Sequence, residues 1–278
     1  MHDAPALVSA FPIALRTQSR LARAGEIPLL LAHPDWKSPV PTVLWMHGRT
    51  AYKELDPGRY LRWVRAGLAV CAIDLPGHGE RLIPEFHTPA RTLDMLRQAV
   101  GEVDQVVEYL SDPAHAEVFD LNRLAIGGMS AGGMTTLRRL CDEHPFRCAA
   151  VEGTTGNLAG LYLAPPGRSD GSPPWPVSHD PGRVATLDPM QNLAGFTPLP
   201  LLALHSEQDR LVPVSIQRRF IETLRGHYVS RGADPSQIEF TTWPSTGAPD
   251  EHVGFGRVSN EAKNIQAEFL ARQLRVNS

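Results

Sequence analysis

The chain has 278 residues, with 30 acidic side chains against 27 Lys and Arg and a formal net charge of −3 at pH 7. So even a balance offers neither a broad basic face for nucleic acid nor a polybasic anchor for a membrane surface, and neither is expected as a partner. No apolar run nears the roughly 18 residues of a bilayer-spanning helix, residues 1–20 lack a basic start followed by an apolar core, and the three cysteines cannot all pair within one chain. The expectation is a cytoplasmic protein with Cys71, Cys141 and Cys148 as plain core thiols.

In chain order, residues 11–15 and 27–32 read as an antiparallel pair at a sheet edge. Apolar runs of strand length follow at 42–47, 68–74, 123–127, 148–152 and 199–205, with a sixth at 238–243; apolar runs without alternation fit strands buried on both faces of a mostly parallel sheet. Helical patterns lie between them. Leu93, Leu96, Val100, Val103, Val107 and Leu110 recur at spacings of three and four after Pro89, and 214–229 and 258–274 repeat the pattern, the last with Ala262, Ile265, Phe269 and Leu270 inward. The fold class is therefore α/β, one domain over residues 1–278 with helices on both faces of the sheet, since no composition shift marks a second unit.

The run Leu124-Ala125-Ile126-Gly127 leads into Gly128-Met129-Ser130-Ala131-Gly132, a Gly-x-Ser-x-Gly between a strand and a helix. Such a sharp turn forces its central residue into a strained backbone and presents the serine at the carboxyl edge of the sheet. A serine hydroxyl needs a histidine base oriented by a carboxylate, and on such sheets the acid follows a late strand and the histidine lies on the loop after the next. Asp209 fills the first place, with Glu207 as the fallback. Of the two later histidines, His227 falls inside a predicted helix, whereas His252 lies in the Gly- and Pro-rich loop 245–256. Ser130, Asp209 and His252 are the candidate catalytic residues. The backbone N–H groups of Ala131, at a helix start, and of Arg49, on the loop His47-Gly48-Arg49-Thr50, are the candidate oxyanion donors. His47, His78 and Asp74 read as loop organisers, and Lys53, Glu54, Glu80 and Arg81 as cross-loop ion pairs.

Residues 153–196 are too long for an ordinary connection, and Ala164-Pro165-Pro166-Gly167 and Ser172-Pro173-Pro174-Trp175-Pro176 forbid a continuous helix there. A cap-like insertion is expected, with Leu158, Leu161, Tyr162, Leu163 and Trp175 walling an acyl or alcohol pocket; cover for the sheet or a dimer contact is the competing reading. Tyr162, Trp175 and, beside the oxyanion loop, Tyr52 are the candidate substrate-binding residues. Arg49 and Tyr52 would suit an acidic or phenolic substrate. No His-Glu-x-x-His, Cys-x-x-Cys or Gly-x-x-x-x-Gly-Lys is present, so no metal is expected.

Taken together, residues 47–54, Asp74-Leu75-Pro76-Gly77-His78-Gly79-Glu80-Arg81, Gly128-Met129-Ser130-Ala131-Gly132-Gly133 and Asp209-Arg210-Leu211-Val212-Pro213 resemble the α/β-hydrolase superfamily. The closer likeness, from about Val40 to the C-terminus, is to bacterial serine esterases of the branch near dienelactone hydrolases and the catalytic domains of prolyl oligopeptidases. It implies carboxylic ester hydrolysis on a small ester through an acyl-enzyme, a triad of Ser130, Asp209 and His252, and no cofactor. Dienelactone hydrolases use a cysteine nucleophile where this chain has Ser130. A peptidase or amidase, an acyltransferase and a non-catalytic binding protein are the alternatives on the same fold. A homodimer is admitted on general grounds.

Overall fold

A computed structural model describes residues 11–163 and 175–275. The proline-rich runs at 164–167 and 172–174, and residues 1–10 of the start read for a targeting segment, lie outside the described residues. In chain order the elements are α1 (Ile13–Arg16), β1 (Ser19–Ala24), β2 (Ile27–Ala32), β3 (Val40–Met46), α2 (Pro57–Arg65), β4 (Ala69–Ile73), α3 (Thr92–Ser111), α4 (Pro113–Ala116) and β5 (Phe119–Met129). There follow α5 (Ala131–Arg139), β6 (Cys148–Glu152), α6 (Leu158–Tyr162), α7 (Pro181–Leu187), β7 (Leu201–Ser206), α8 (Val214–Ser230), β8 (Ile238–Trp243) and α9 (Ser259–Gln273).

The eight strands form one sheet in the order β1-β2-β4-β3-β5-β6-β7-β8. Pairing is parallel from β4 through to β8, and antiparallel where β2 meets β4 and β1. The period of two along each strand divides its side chains between two cores. Leu44, Met46, Ile126, Leu201 and Ala203 join one, with Leu93, Val103, Leu137 and Phe220 from α3, α5 and α8. Val43, Trp45, Ala125, Leu202 and Leu204 join the other, with Tyr60, Trp63, Phe269 and Leu270 from α2 and α9. This is the open, mostly parallel sheet of an α/β-hydrolase, with helices on both faces.

The amino-terminal edge differs from expectation. Residues 13–16 are helical after Pro12, and the partner of β2 is β1, joined through Gly25 at φ +58°. Leu15 of that helix and Phe11 just before it are both buried, whereas β1 is an edge strand with only Ala24 buried, so its apolar signal is weak. Along α3 the inward face runs through Ala99 and Val106, with Val100 and Val107 only half-buried. All three cysteines are free and buried. Ion pairs tie the loops as expected: Lys53 Nζ lies 2.8 Å from Asp74 and 2.6 Å from Glu80, and Arg81 bonds Glu102 through both nitrogens.

Candidate active site

Ser130 stands where β5 turns into α5, at φ 51° and ψ −114°, a region that costs a side-chain-bearing residue energy and persists only when its surroundings fix it. They do. Its N–H donates to the Glu152 carbonyl at 2.8 Å, and its carbonyl accepts from Met134 N–H at 2.9 Å and from Thr154 Oγ1 at 2.7 Å. The flanking glycines are demanded by space: a Cβ on Gly132 would stand 2.2 Å from the Met46 carbonyl oxygen, and one on Gly128 would stand 2.4 Å from the backbone of Gly132.

Asp209 lies beyond the end of β7, where its Oδ1 accepts from the N–H groups of Leu211 and Val212 at 2.9 and 2.8 Å. Its Oδ2 meets His252 Nδ1 at 2.7 Å, with both side chains nearly fully buried. A carboxylate only accepts, so Nδ1 carries the hydrogen and donates it to Asp209. The loop bearing His252 is held by Glu251, whose two oxygens accept from Ser206 Oγ, Ser245 Oγ, Thr246 N–H and Oγ1, and Gly247 N–H. These bonds, the Thr246 N–H foremost, hold the Glu251 carboxyl far below the usual carboxylate range. They also keep Asp250 and Glu251 at φ 52° and 53°, where neither is at ease.

A cavity of about 290 Å³ brings Ser130, Ala131 and His252 into one wall together with Gly48, Arg49, Met134, Leu161, Tyr162 and Trp175. The Gly48 loop lies directly over the serine, since a Cβ on Gly48 would stand 3.4 Å from Ser130 Cβ. Ala131 opens α5, and Ser130 makes no side-chain cap, so the first N–H of that helix has no acceptor within it. His47 shapes the Gly48 loop: Nδ1 donates to the Gly48 carbonyl at 2.7 Å, and Nε2 accepts from Leu75 N–H at 3.0 Å. Burial keeps that ring neutral, with its pKa pushed down to about 4. His78, also buried, donates from Nδ1 to the Pro76 carbonyl.

Not every expected residue reaches the cavity. Ala51 and Leu55 line it but Tyr52, between them in sequence, does not. Leu158 is fully buried in the main core, and Leu163 packs against that core. Tyr162 and Trp175 do meet in the wall, edge to face with ring centroids 4.7 Å apart. His227 sits near the end of α8, bonded to the Phe196 carbonyl. Among the described residues no group of three or more His, Cys, Asp or Glu is arranged to hold a metal ion.

Other residues of the site escape sequence reasoning. Gly153, at φ +50°, leaves room for the His252–Asp209 pair: a Cβ there would come within 3.3 Å of His252 Cε1 and 3.7 Å of Asp209 Oδ2. His205, at the end of β7, donates from Nε2 to the Val212 carbonyl at 2.8 Å and lies 3.4 Å from Asp209 Oδ2. Behind the serine turn, Arg59 of α2 forks onto both oxygens of Glu152, the residue whose carbonyl anchors Ser130. Of these, His205, four residues before Asp209, alone carries a local signal.

The chain is similar to several known proteins. Over 206 residues it is 27% identical to the esterase YjfP of Escherichia coli (strain K12), a match covering 72% of this chain and 82% of that protein. The crystal structure of TT1662 from Thermus thermophilus superposes with a TM-score of 0.68 at 22% identity, covering 93% of this chain and 99% of that one. The acylaminoacyl peptidase of Pyrococcus horikoshii superposes with a TM-score of 0.72 at 16% identity, covering all of this chain and 45% of that one. Residues 59–276 match the prolyl oligopeptidase family across most of the chain, and the chain belongs to that family.

Proposed function

We propose that the protein is a serine carboxylic ester hydrolase with Ser130 as nucleophile, His252 as general base and Asp209 as its orienting carboxylate. The observation that carries this reading is the 2.7 Å His252–Asp209 pair, whose histidine lines one cavity together with Ser130. His252 Nε2 takes the Ser130 proton as Oγ adds to the ester carbonyl. The N–H groups of Arg49 and Ala131 hold the oxyanion, and the protonated ring then gives its proton to the departing alcohol. Water enters, loses a proton to the same ring and releases the acid, which restores the free serine. Asp209 stabilises the imidazolium formed in each half. The similarity to an esterase supports ester over amide chemistry, as does a mouth ringed by the exposed apolar side chains of Leu55, Leu211 and Val253, which suits a small apolar alcohol.

Residues 153–196 act in this reading as a cap, with Leu161, Tyr162 and Trp175 closing the far wall. The test is hydrolysis of p-nitrophenyl esters of increasing acyl length, beside the matching p-nitroanilides, by wild type and Ser130→Ala of equal fold. Ester turnover that vanishes in Ser130→Ala is expected, with a length preference that Trp175→Ala shifts to longer chains. Faster cleavage of anilides would turn the reading to an amidase; no turnover of either by folded wild type would refute it.

A further inference from the structure

Among the described residues, the cavity wall carries one formal charge that the chemistry above leaves unused. Arg49 is assigned a catalytic role only through its backbone. Its guanidinium donates from Nη1 to the His87 carbonyl at 2.8 Å and lies 5.7 Å from the centre of the Trp175 ring. Among the described residues no carboxylate pairs with it and none lines the cavity. Arg23, Arg59, Arg81 and Arg139, by contrast, each meet an Asp or Glu within 3.0 Å. A guanidinium has five donors in a planar fork suited to a carboxylate, and here one of them is engaged.

Two further donors sit in the same wall without acceptors. Thr92, 2% exposed, lines the cavity and its Oγ1 has no partner. Trp175 lines it too, and its Nε1–H is buried and equally unpartnered. Tyr162, beside Trp175, is satisfied, donating its hydroxyl hydrogen to Met134 Sδ at 3.2 Å. Thr92 opens the 20-residue α3, so the positive end of that helix faces the same side, and the one acid of its first turn, Asp94, is taken up by Arg91 at 2.7 Å and by Arg183. Buried donors without acceptors are costly and call for a ligand that supplies one.

We propose that the natural substrate is an ester bearing a carboxylate, seated on the Arg49 guanidinium and hydrogen-bonded by Thr92 Oγ1 and Trp175 Nε1 while Ser130 attacks the ester carbonyl. This rests on the ester hydrolase reading. The overall reaction remains ester plus water to acid plus alcohol, and the carboxylate takes no part in bond making. The anion belongs either to the acyl part or to the alcohol part, and two pairs of esters separate these. 4-Nitrophenyl hemiglutarate against 4-nitrophenyl valerate tests the acyl side; 4-acetoxybenzoate against its methyl ester tests the alcohol side.

The readout is the ratio of kcat/KM within each pair, in which any general damage from a substitution cancels. Wild type is expected to favour the anionic member of one pair by about tenfold or more. Arg49→Met should collapse that ratio to near one, and Arg49→Lys should retain part of it. On unmodified enzyme, free glutarate should inhibit hydrolysis of the neutral ester competitively and at least about tenfold better than glutaramide. Ratios near one in both pairs, a ratio that survives Arg49→Met, or equal inhibition by glutarate and glutaramide would overturn the anion site while Ser130-dependent turnover of neutral esters left the hydrolase standing. Absence of turnover with all four esters would refute both.

Discussion

Replacing Arg59 by methionine strands a buried charge directly behind Ser130, on Glu152, whose carbonyl anchors the serine turn. Arg59 reaches Glu152 at 2.6 and 2.8 Å, Asp56 at 3.0 Å, and Gln266, and its guanidinium stacks 4.5 Å from the Trp45 ring. Burial opposes its charge, but the carboxylates of Glu152 and Asp56 outweigh it and raise its pKa. Without the arginine, Glu152 at 1% exposure keeps one side-chain donor, Gln266 Nε2 at 2.9 Å. An uncompensated buried charge of this kind costs about 3–5 kcal/mol. At about 2 °C per kcal/mol for a chain of this size, that lowers Tm by roughly 6–10 °C. Glu152→Leu should cost less, because Asp56 still pairs with the arginine. The double variant should cost well under the sum, since removing both charges also removes both desolvation penalties. Urea unfolding followed by circular dichroism on the four proteins closes the cycle. A cost below about 1 kcal/mol for Arg59→Met, or additivity within about 0.5 kcal/mol, would refute the reasoning.

Two further outcomes are expected. Gly153→Ala combines a left-handed backbone with a Cβ 3.3 Å from the His252 ring; it should cost about 1–2 kcal/mol and, by displacing the base, lower kcat by roughly 10- to 100-fold, so unchanged kcat in well-folded enzyme would contradict the placement of the base. His47 and His78, both with pKa lowered to about 4 chiefly by burial, are neutral in the fold, whereas the unfolded chain protonates them from about 6.5 downward. Stability is therefore full above about pH 6.5 and declines as pH falls toward 4, with His47 alone contributing a slope of up to about 1.4 kcal/mol per pH unit. Urea midpoints at pH 7, 5.5 and 4.5 measure it, and His47→Gln should flatten the decline; a midpoint constant from pH 7 to 4.5 would be the contrary result.

The central strands are legible in the sequence because both of their faces are buried, so runs such as Ala69–Ile73 and residues 148–151 are apolar without interruption. The edge strand β1 is not, since only its Ala24 is buried and its Arg20 and Arg23 give it no apolar face. The positions of Ser130, Asp209 and His252, each on the turn or loop that follows a recognisable strand, are readable through chain order. Tyr52 misleads because neighbours in a loop point in different directions: Ala51 and Leu55 face the cavity and it does not. Gly153, Glu251 and the Arg59–Glu152 pair have no local signature at all. Their roles arise only when the fold brings together residues as far apart as the 93 positions separating Arg59 from Glu152.

The central claim is that Ser130 is the nucleophile activated by His252. Its most direct test is covalent: treat the enzyme with diethyl 4-nitrophenyl phosphate, measure intact mass, and map the modified peptide. The account predicts a single diethylphosphoryl adduct on Ser130, absent from Ser130→Ala and formed far more slowly in His252→Ala. An adduct on another residue, or one formed equally fast without His252, would contradict it.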